Sequence, residues 1–269
     1  MWGFFMLVYQ PFLDNFSAYL QFQKRSSVHT YTAYTNDLQQ FFAFLESQYQ
    51  SPPIPQITPS IIRSWLAELK QDKMGAKTIH RKVSTLRSFF KYLLRQSVIT
   101  TSPMQTIVTP KIPKRITQYV EEADVHTLLA KYQHCTTWEQ QLEQLIFTMF
   151  YQCGIRLSEL VELRWQQVFF AQQQIKVLGK GNKERIIPIS TELAQLLNAW
   201  LQQQKKELAE VNYVFCFQNG TRVYSRWVYT HVHKALSEVT TIKKRSPHVL
   251  RHSFATHLSA NGAPLNAVK

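Results

Sequence analysis

The sequence has few cysteines, few glycines and no long apolar run. Its three cysteines, Cys135, Cys153 and Cys216, are widely separated and form no C-x-x-C pair. This argues against a disulfide framework and against a zinc–thiolate site, and it favours buried thiols in a reducing cytosol. Seven glycines and eleven prolines among 269 residues exclude a collagen-like or low-complexity chain. The apolar segment 1–9 is too short for a membrane span and lacks the basic flank of a signal peptide, so no membrane partner is expected.

Acidic side chains are also scarce relative to basic ones. Asp and Glu total 17 against 31 Lys and Arg, which gives a net charge of +14. Residues 1–116 hold 14 basic and 5 acidic side chains, and residues 117–269 hold 17 and 12. Such an excess favours a polyanionic partner, most commonly nucleic acid, although a merely soluble basic protein is the alternative. Two positive halves suit a clamp around duplex DNA better than a single docking face.

Apolar residues recur at helical spacing over most of the chain. Residues 1–96 predict four helices, of which the last, 78–94, has one apolar and one basic face. Proline-bearing, turn-prone residues over 97–118 predict a linker, and 119–269 predicts a second domain. Within it, β-branched residues alternate on both sides of a Gly/Asn turn across 173–190, which predicts a hairpin. The expected fold class is therefore mainly α with a small β-sheet (α+β), in two domains.

The basic face of the helix at 78–94 is the candidate surface for reading DNA. Cationic side chains lie opposite the apolar stripe there, where they could contact phosphates or the base edges of the major groove. These side chains are His80, Arg81, Lys82, Arg87 and Lys91.

A segment near the end of the sequence, S-P-H-V-L-R-H-S-F from residue 246, predicts a helix with an anion site at its start. Its serine and proline suit the N-cap and the first turn. His248 and Arg251 are three residues apart and share a face near the helix N-terminus, where unpaired N–H groups favour an anion. The guanidinium can hold two phosphate oxygens beside an imidazole that handles protons. His248 and His252 have the spacing of helical zinc ligands, but no Glu follows His248 and a third ligand is lacking, so no metal is expected.

Two further segments carry cationic side chains, and neither segment by itself indicates whether its cation is functional. Arg156 follows a helix-breaking Gly154 and lies where the next helix begins, and an arginine there is usually in a surface ion pair. Lys180 lies in the predicted hairpin turn, where a lysine is normally just solvated. The G-x-x-x-x-G-K-[ST] spacing of a phosphate-binding nucleotide loop is absent.

The combination and order of three motifs resemble the tyrosine recombinase (phage integrase) family, and within it the bacterial Xer recombinases that resolve chromosome dimers. The motifs are C-G-I-R-x-S-E-L from residue 153, G-K-G-N-K-E-R from residue 179 and S-P-H-V-L-R-H-S-F-A-T-H-L from residue 246. The resemblance implies a four-helix core-binding (SAM-like) domain and a catalytic domain that clamp duplex DNA. It also implies protomers that assemble into a tetrameric synapse, in the bacterial cytoplasm.

The resemblance further implies a reaction and four catalytic residues. A tyrosine hydroxyl attacks a phosphodiester and forms a phosphotyrosine, which releases a 5′-hydroxyl and needs no ATP for rejoining. Arg156 and Arg251 would hold the scissile phosphate, Lys180 would protonate the leaving oxygen and His248 would assist. Because two guanidinium groups neutralise the charge that metals neutralise elsewhere, neither a metal nor another cofactor is expected.

The sequence departs from the family pattern after the H-x-x-R helix. Family members continue with G-H-x-x and then the nucleophilic tyrosine, whereas this sequence ends at Lys269 and its last tyrosine is Tyr229. Tyr224 and Tyr229 precede the motif and do not map onto the nucleophile. We therefore expect the 269 residues alone to bind DNA without cutting it. The hypotheses are a recombinase whose C-terminal tail is missing from this sequence, an inactive DNA-binding remnant that modulates an intact partner, or a chain that receives its tyrosine from a partner.

Overall fold

A computed structural model describes residues 8–112, 118–179 and 184–262. Those residues form ten α-helices and one small sheet, which confirms the mainly helical fold class. The chain divides into two compact units, Met1–Arg115 and Ile116–Lys269, each with its own hydrophobic core. None of the helices described is long and apolar enough to cross a membrane.

The first unit is built from four α-helices. Ser27 and Thr58 precede α2 and α3, and each side chain accepts a hydrogen bond from a backbone N–H of the first turn. Aromatic rings fill the core, with Phe16, Phe89 and Trp65 almost fully buried. The elements are α1 (Gln10–Ala18) with a following π-helical turn (Tyr19–Gln23), α2 (Val28–Tyr49), a 3-10 turn (Ile54–Gln56), α3 (Pro59–Gln71) and α4 (Ala76–Arg95).

The predicted linker, 97–118, is packed on the first unit over part of its length. Ile99, Met104 and Ile107 are buried in the core of that unit. The guanidinium of Arg87, in α4, donates a hydrogen bond of 2.8 Å to the carbonyl of Ile107. The turn-prone residues here prevent a regular helix, but the apolar side chains between them attach the segment to the helices. This part of the predicted linker is therefore not a free connection.

The described residues of the second unit form six α-helices and the two strands of the predicted hairpin. Strands β2 and β3 pair antiparallel, with Ile175 opposite Ile187, and the short β1 pairs with β2 to give the order β1-β2-β3. The hairpin turn that contains Lys180 lies outside the described residues. The elements are α5 (Glu122–Ala130), α6 (Trp138–Cys153), α7 (Leu157–Glu162), a 3-10 turn (Trp165–Gln167), β1 (Val168–Phe169), β2 (Gln174–Leu178), β3 (Glu184–Pro188), α8 (Thr191–Glu207), α9 (Ser225–Val239) and α10 (Pro247–Ala260).

Helix α10 contains the H-x-x-R motif and packs on α6. Val249 and Leu250 are buried in the core of the unit. Ser253 is also fully buried, and its hydroxyl accepts a hydrogen bond of 2.8 Å from the backbone N–H of Val120. Ser246 is the N-cap residue, as predicted, but its side chain makes no capping hydrogen bond.

Gly154 marks the end of α6 at its contact with α10. Its φ of +53° is left-handed, a conformation that favours glycine. A Cβ placed on Gly154 would lie 2.4 Å from Cδ1 of Phe254, in α10. The carbonyl of Gly154 also accepts a hydrogen bond from the guanidinium of Arg251. A glycine is therefore required both for the helix end and for the close approach that brings in Arg251.

Replacing Gly154 by alanine should destabilise the second unit by about 2–3 kcal/mol, because the left-handed backbone becomes strained and the Phe254 ring must shift. Urea unfolding followed by circular dichroism measures the loss. Gly220→Ala is a matched control, since Gly220 has a φ of +79° but a Cβ there meets nothing within 4 Å. The control should lose only the stability that the strained left-handed backbone costs. Equal losses in the two variants would contradict the close-packing role of Gly154.

Candidate active site

The candidate site contains a buried carboxylate that is held between two arginines. Only 3% of the Glu159 side chain is exposed. It accepts hydrogen bonds from Nη1 of Arg156 at 2.8 Å and from the backbone N–H of Arg156 at 2.9 Å. Arg185, in β3, donates to both carboxylate oxygens, at 2.6 and 2.9 Å. Because a guanidinium and a carboxylate pair in a fixed planar geometry, Glu159 sets the direction of both arginine side chains.

Glu159 and Arg185 were not among the predicted site residues. Both lie within the motifs that suggested the family, one three residues after Arg156 and the other at the end of the hairpin motif. From sequence alone, the position of Glu159 three residues after Arg156 indicates only a first-turn carboxylate that interacts with the helix dipole. Nothing in the sequence indicates that β3 brings a second arginine to the same carboxylate.

The ionisation of Glu159 depends on these partners. Burial alone would raise the pKa of Glu159, but the hydrogen bonds from Arg185 and Arg156 outweigh it and bring the pKa below its usual value. The carboxylate is therefore ionised at neutral pH. It neutralises part of the positive charge that would otherwise separate Arg156 from Arg185.

A Glu159→Gln chain should be less stable than the parent chain at pH 7, and the difference should disappear on acidification. A carboxyl with a lowered folded-state pKa stabilises the fold above its unfolded-state pKa, and this stabilisation is lost as the pH falls through the folded-state value. Urea unfolding of both chains from pH 7 down to pH 3 measures the difference. The exposed Glu210, replaced by Gln, provides the control for losing a carboxylate elsewhere in the unit. A stability gap that stays constant with pH would contradict the paired, ionised state of Glu159.

Helix α10 adds an arginine and a histidine to this site. Arg251 is half-buried and His248 is exposed, near the N-terminus of the helix. Partial desolvation of the imidazole lowers the pKa of His248, and the neighbouring His252, Lys244, Arg251 and Arg156 lower it further. His248 is therefore neutral at pH 7 and can accept or donate a proton.

Arg251 lies close to Arg156, because its guanidinium donates a hydrogen bond to the carbonyl of Gly154, two residues before Arg156. Burial lowers the pKa of Arg251, and the nearby positive charges of Arg156 and Arg185 lower it further, while Glu159 opposes the shift. A guanidinium nevertheless stays protonated at neutral pH. Three of the four predicted catalytic residues, Arg156, His248 and Arg251, thus lie within one field of excess positive charge. The fourth, Lys180, lies outside the described residues. An anion bound here would relieve the repulsion between the guanidinium groups.

A cleft with a partly apolar lining lies beside Arg251. The end of α6, strand β3 and the outer face of α10 form its walls. Within the described parts of the chain, its lining contains no tyrosine. The lining residues are Gln152, Cys153, Gly154, Arg185, Ile186, Ile187, Pro188, Arg251, Phe254, Ala255 and Leu258.

The predicted DNA-reading face of α4 needs one correction. Lys82 is buried, with 2% of its side chain exposed, and its ammonium lies 2.9 Å from Oδ1 of Asp37 in α2. It is an internal cation of the helix packing and cannot contact DNA. Arg81 also pairs with Asp37 but is 42% exposed. The remaining side chains of the face stay accessible: Arg87 and Lys91 are exposed and His80 is half-buried.

Comparison with known proteins establishes the family of the chain. Residues 118–269 match the model of the phage integrase family, and residues 13–97 match that of the phage integrase N-terminal SAM-like domain. The chain belongs to the tyrosine recombinase (phage integrase) family. This confirms the family that the three motifs indicated.

Curated relatives support the same assignment over nearly the whole chain. The chain is 33% identical over 263 residues to tyrosine recombinase XerC of Oceanobacillus iheyensis, and the alignment covers 96% of this chain and 86% of the relative. It is 32% identical over 262 residues to tyrosine recombinase XerC of Anoxybacillus flavithermus, which covers 96% and 87%. The recombinase is therefore similar to bacterial XerC proteins.

Solved structures of other recombinases share the fold. A XerH site-specific recombinase bound to palindromic difH substrate, in a post-cleavage complex, has a TM-score of 0.73 at 18% identity, covering 91% of this chain and 73% of that one. A lambda integrase dimer bound to a COC′ core site has a TM-score of 0.69 at 16% identity, covering 96% and 89%. At these identities the likeness concerns the fold, which matches the predicted combination of a SAM-like and a catalytic domain.

Proposed function

We propose that this recombinase binds duplex DNA and holds one scissile phosphate between Arg156 and Arg251 for site-specific strand exchange. The observation that carries the proposal is the convergence of Arg156, Arg251 and His248 at the start of α10. Glu159 holds the side chain of Arg156, and the Gly154 carbonyl holds that of Arg251. An electropositive site of this kind favours a phosphodiester whose negative charge grows during phosphoryl transfer.

The chemistry follows from the residue types. When a tyrosine hydroxyl attacks phosphorus, the two guanidinium groups neutralise charge on the non-bridging oxygens. The bond to the 5′-oxygen breaks, and Lys180 is proposed to protonate that oxygen. His248, neutral at pH 7 because its pKa is lowered, can take up or hold a proton beside the phosphate. The phosphotyrosine conserves the bond energy, and attack by a second 5′-hydroxyl reverses the steps.

The source of the attacking hydroxyl is a separate proposal. We propose that none of the tyrosines described supplies it. The cleft beside Arg251 contains no tyrosine among the described residues that line it. The hydroxyl of Tyr151 lies 3.0 Å from Nδ1 of His257. Tyr224 and Tyr229 are exposed and precede the H-x-x-R motif in the sequence. This favours the second candidate function, in which the 269 residues bind DNA without cutting it.

The proposed partners are duplex DNA and further recombinase protomers, in the cytoplasm of a bacterium. Support for DNA comes from the net charge of +14 and from the site geometry. The XerH and lambda integrase structures of the same fold contain DNA, and the latter is a dimer. The accessible cations of α4 are proposed to contact the duplex, by phosphate pairing or base readout.

Two measurements test these proposals. Gel-shift titrations of the 269-residue chain with duplex DNA should show binding that weakens steeply as salt rises. A nicked suicide substrate should then trap no covalent protein–DNA adduct. Failure to bind duplex DNA at low salt would contradict both candidate functions. Adduct formation would contradict only the inference about the tyrosine, and mass spectrometry of the adduct would identify the residue that attacks.

A further inference from the structure

A second group of ionisable side chains lies in the same unit, where α6 and α9 pack together. Glu139 and Glu143 are four residues apart on α6, and His231 is on α9. One donor atom from each lies within 4.8 Å of the other two. Glu143 and His231 are largely enclosed, with 15% and 23% of their side chains exposed, and Glu139 is open to solvent. The recombination chemistry proposed above does not use this group.

The distances within the group do not fit an ordinary hydrogen-bonded ion pair. Nε2 of His231 lies 3.3 Å from Oε1 of Glu139 and 3.6 Å from Oε1 of Glu143. N–H···O hydrogen bonds are normally about 2.7–3.2 Å long. Tetrahedral zinc with bonds of about 2.0–2.2 Å separates its donor atoms by roughly 3.3–3.6 Å. The two nitrogen–oxygen distances therefore match those between ligands of one tetrahedral ion, and all three donor atoms lie within 4.8 Å of one another.

The surroundings prepare the imidazole for such an ion. Nδ1 of His231 lies 2.9 Å from the carbonyl oxygen of Trp227, so Nδ1 carries the proton in the neutral ring. Nε2 then presents a lone pair towards the two carboxylates. The indole of Trp227 stacks on the imidazole, with ring centroids 3.8 Å apart, and fixes its plane. An imidazole oriented by a carbonyl through its other nitrogen is the usual arrangement around protein-bound metals.

The carboxylates also gain from a cation. The carboxylates of Glu139 and Glu143 both lie beside Nε2 of His231, and two like charges four residues apart on one helix repel each other. A divalent ion between them would remove that repulsion. Imidazole nitrogen together with two carboxylate oxygens suits Zn²⁺, whereas Mg²⁺ and Ca²⁺ prefer oxygen ligands alone.

We propose that Glu139, Glu143 and His231 bind one divalent transition-metal ion, with Zn²⁺ as the best fit, and that the ion joins α6 to α9. Water would take the fourth position. The site is distinct from the phosphate-binding residues, and it would stabilise the packing of α9 on the helix that ends at Gly154.

Zinc binding by the whole 269-residue chain tests the proposal. The probe is Zn²⁺ in competition with a fluorescent zinc indicator. All variants carry the substitution His252→Gln, which removes a second possible zinc-binding pair formed by His248 and His252. Adding Glu143→Gln or His231→Gln should weaken Zn²⁺ binding at least about tenfold. His126→Gln is the matched control, since His126 faces the single carboxylate of Glu122 at 3.8 Å. That control should leave the affinity unchanged.

A second measurement needs no substitution at the site. Zn²⁺ should protect His231 of the unaltered chain from acylation by diethyl pyrocarbonate, as read by peptide mass spectrometry, and Mg²⁺ should not. It should also raise the melting temperature of the chain. Equal acylation of His231 with and without Zn²⁺, or unchanged affinity in both ligand variants, would overturn the proposal and leave a histidine between two carboxylates as a structural ion-pair group.

Discussion

With hydrogen peroxide as the attacking nucleophile, Arg251→Ala should cleave bound DNA roughly 10²–10³ times more slowly than the unaltered chain, as expected when one fixed donor to a phosphoryl transition state is removed. The guanidinium of Arg251 is half-buried, is held by the Gly154 carbonyl and lies in the positive field of Arg156 and Arg185. Its charge therefore acts on the phosphate without reorganisation. Lysine should rescue little of the rate, because an ammonium cannot reproduce the two-pronged geometry.

Hydrogen peroxide allows the rate of strand scission to be measured without a tyrosine nucleophile. Added to the DNA complex, it can attack the polarised phosphodiester in place of a phenol, and strand scission is followed on a sequencing gel at saturating protein. Affinity for DNA should change far less than the cutting rate, since one phosphate contact among many is lost. Arg226→Ala, at an exposed arginine of α9, is the control and should keep the rate. Equal cutting by Arg251→Ala and the unaltered chain would contradict the proposed role.

Asp37→Ala should destabilise the first unit by about 3–5 kcal/mol, which is the usual cost of leaving one buried charge without its partner. Asp37 is 2% exposed and receives hydrogen bonds of 2.9 Å from the ammonium of Lys82 and from the hydroxyl of Thr85. Lys82 is equally buried, and the ammonium lies over the ring of Trp65. Without the carboxylate, its positive charge has only the amide oxygen of Gln40 as a strong acceptor among the groups described.

A double substitution separates the charge effect from packing. Asp37→Ala combined with Lys82→Met removes both charges and keeps most of the volume of the lysine, so it should recover most of the lost stability. Glu46→Ala, at an exposed position of the same helix, should stay within about 0.5 kcal/mol of the unaltered chain. Guanidinium unfolding monitored by circular dichroism measures all three. A double variant as unstable as Asp37→Ala would show that Asp37 acts through packing and not through charge.

The elements that the sequence predicted are those with local signals. Apolar periodicity placed the helices of the first unit, and β-branched alternation placed β2 and β3 around the Gly/Asn turn. Arg156, His248 and Arg251 were found because three motifs occur in the order typical of one family. Such signals lie within a few residues of each other, so one sequence is enough to find them.

The features that the sequence did not predict depend on distant partners. Lys82 was predicted to be a surface cation because the sequence places it opposite the apolar stripe of the helix, yet its partner Asp37 is 45 residues away in α2. Arg185 meets Glu159 across 26 residues. The packing of the apolar residues of 97–118 was not predicted, because the prolines and turn residues around them indicate only a local backbone preference and not the surface on which the segment packs. Each of these three features is set by a tertiary contact between distant parts of the sequence.

The hydrogen bond between Val120 and Ser253 affects the order in which the second unit folds during synthesis on the ribosome. Its two partners are 133 residues apart. At a translation rate of about 5–20 residues per second, the N–H of Val120 leaves the ribosome roughly 7–27 s before Ser253 does. In the second half of that interval Arg156, Glu159 and Arg185 have emerged and can be in contact, while Arg251 has not yet left the ribosome. The nascent chain therefore brings Arg251 to Gly154 and Arg156 late, when α10 emerges and packs onto α6.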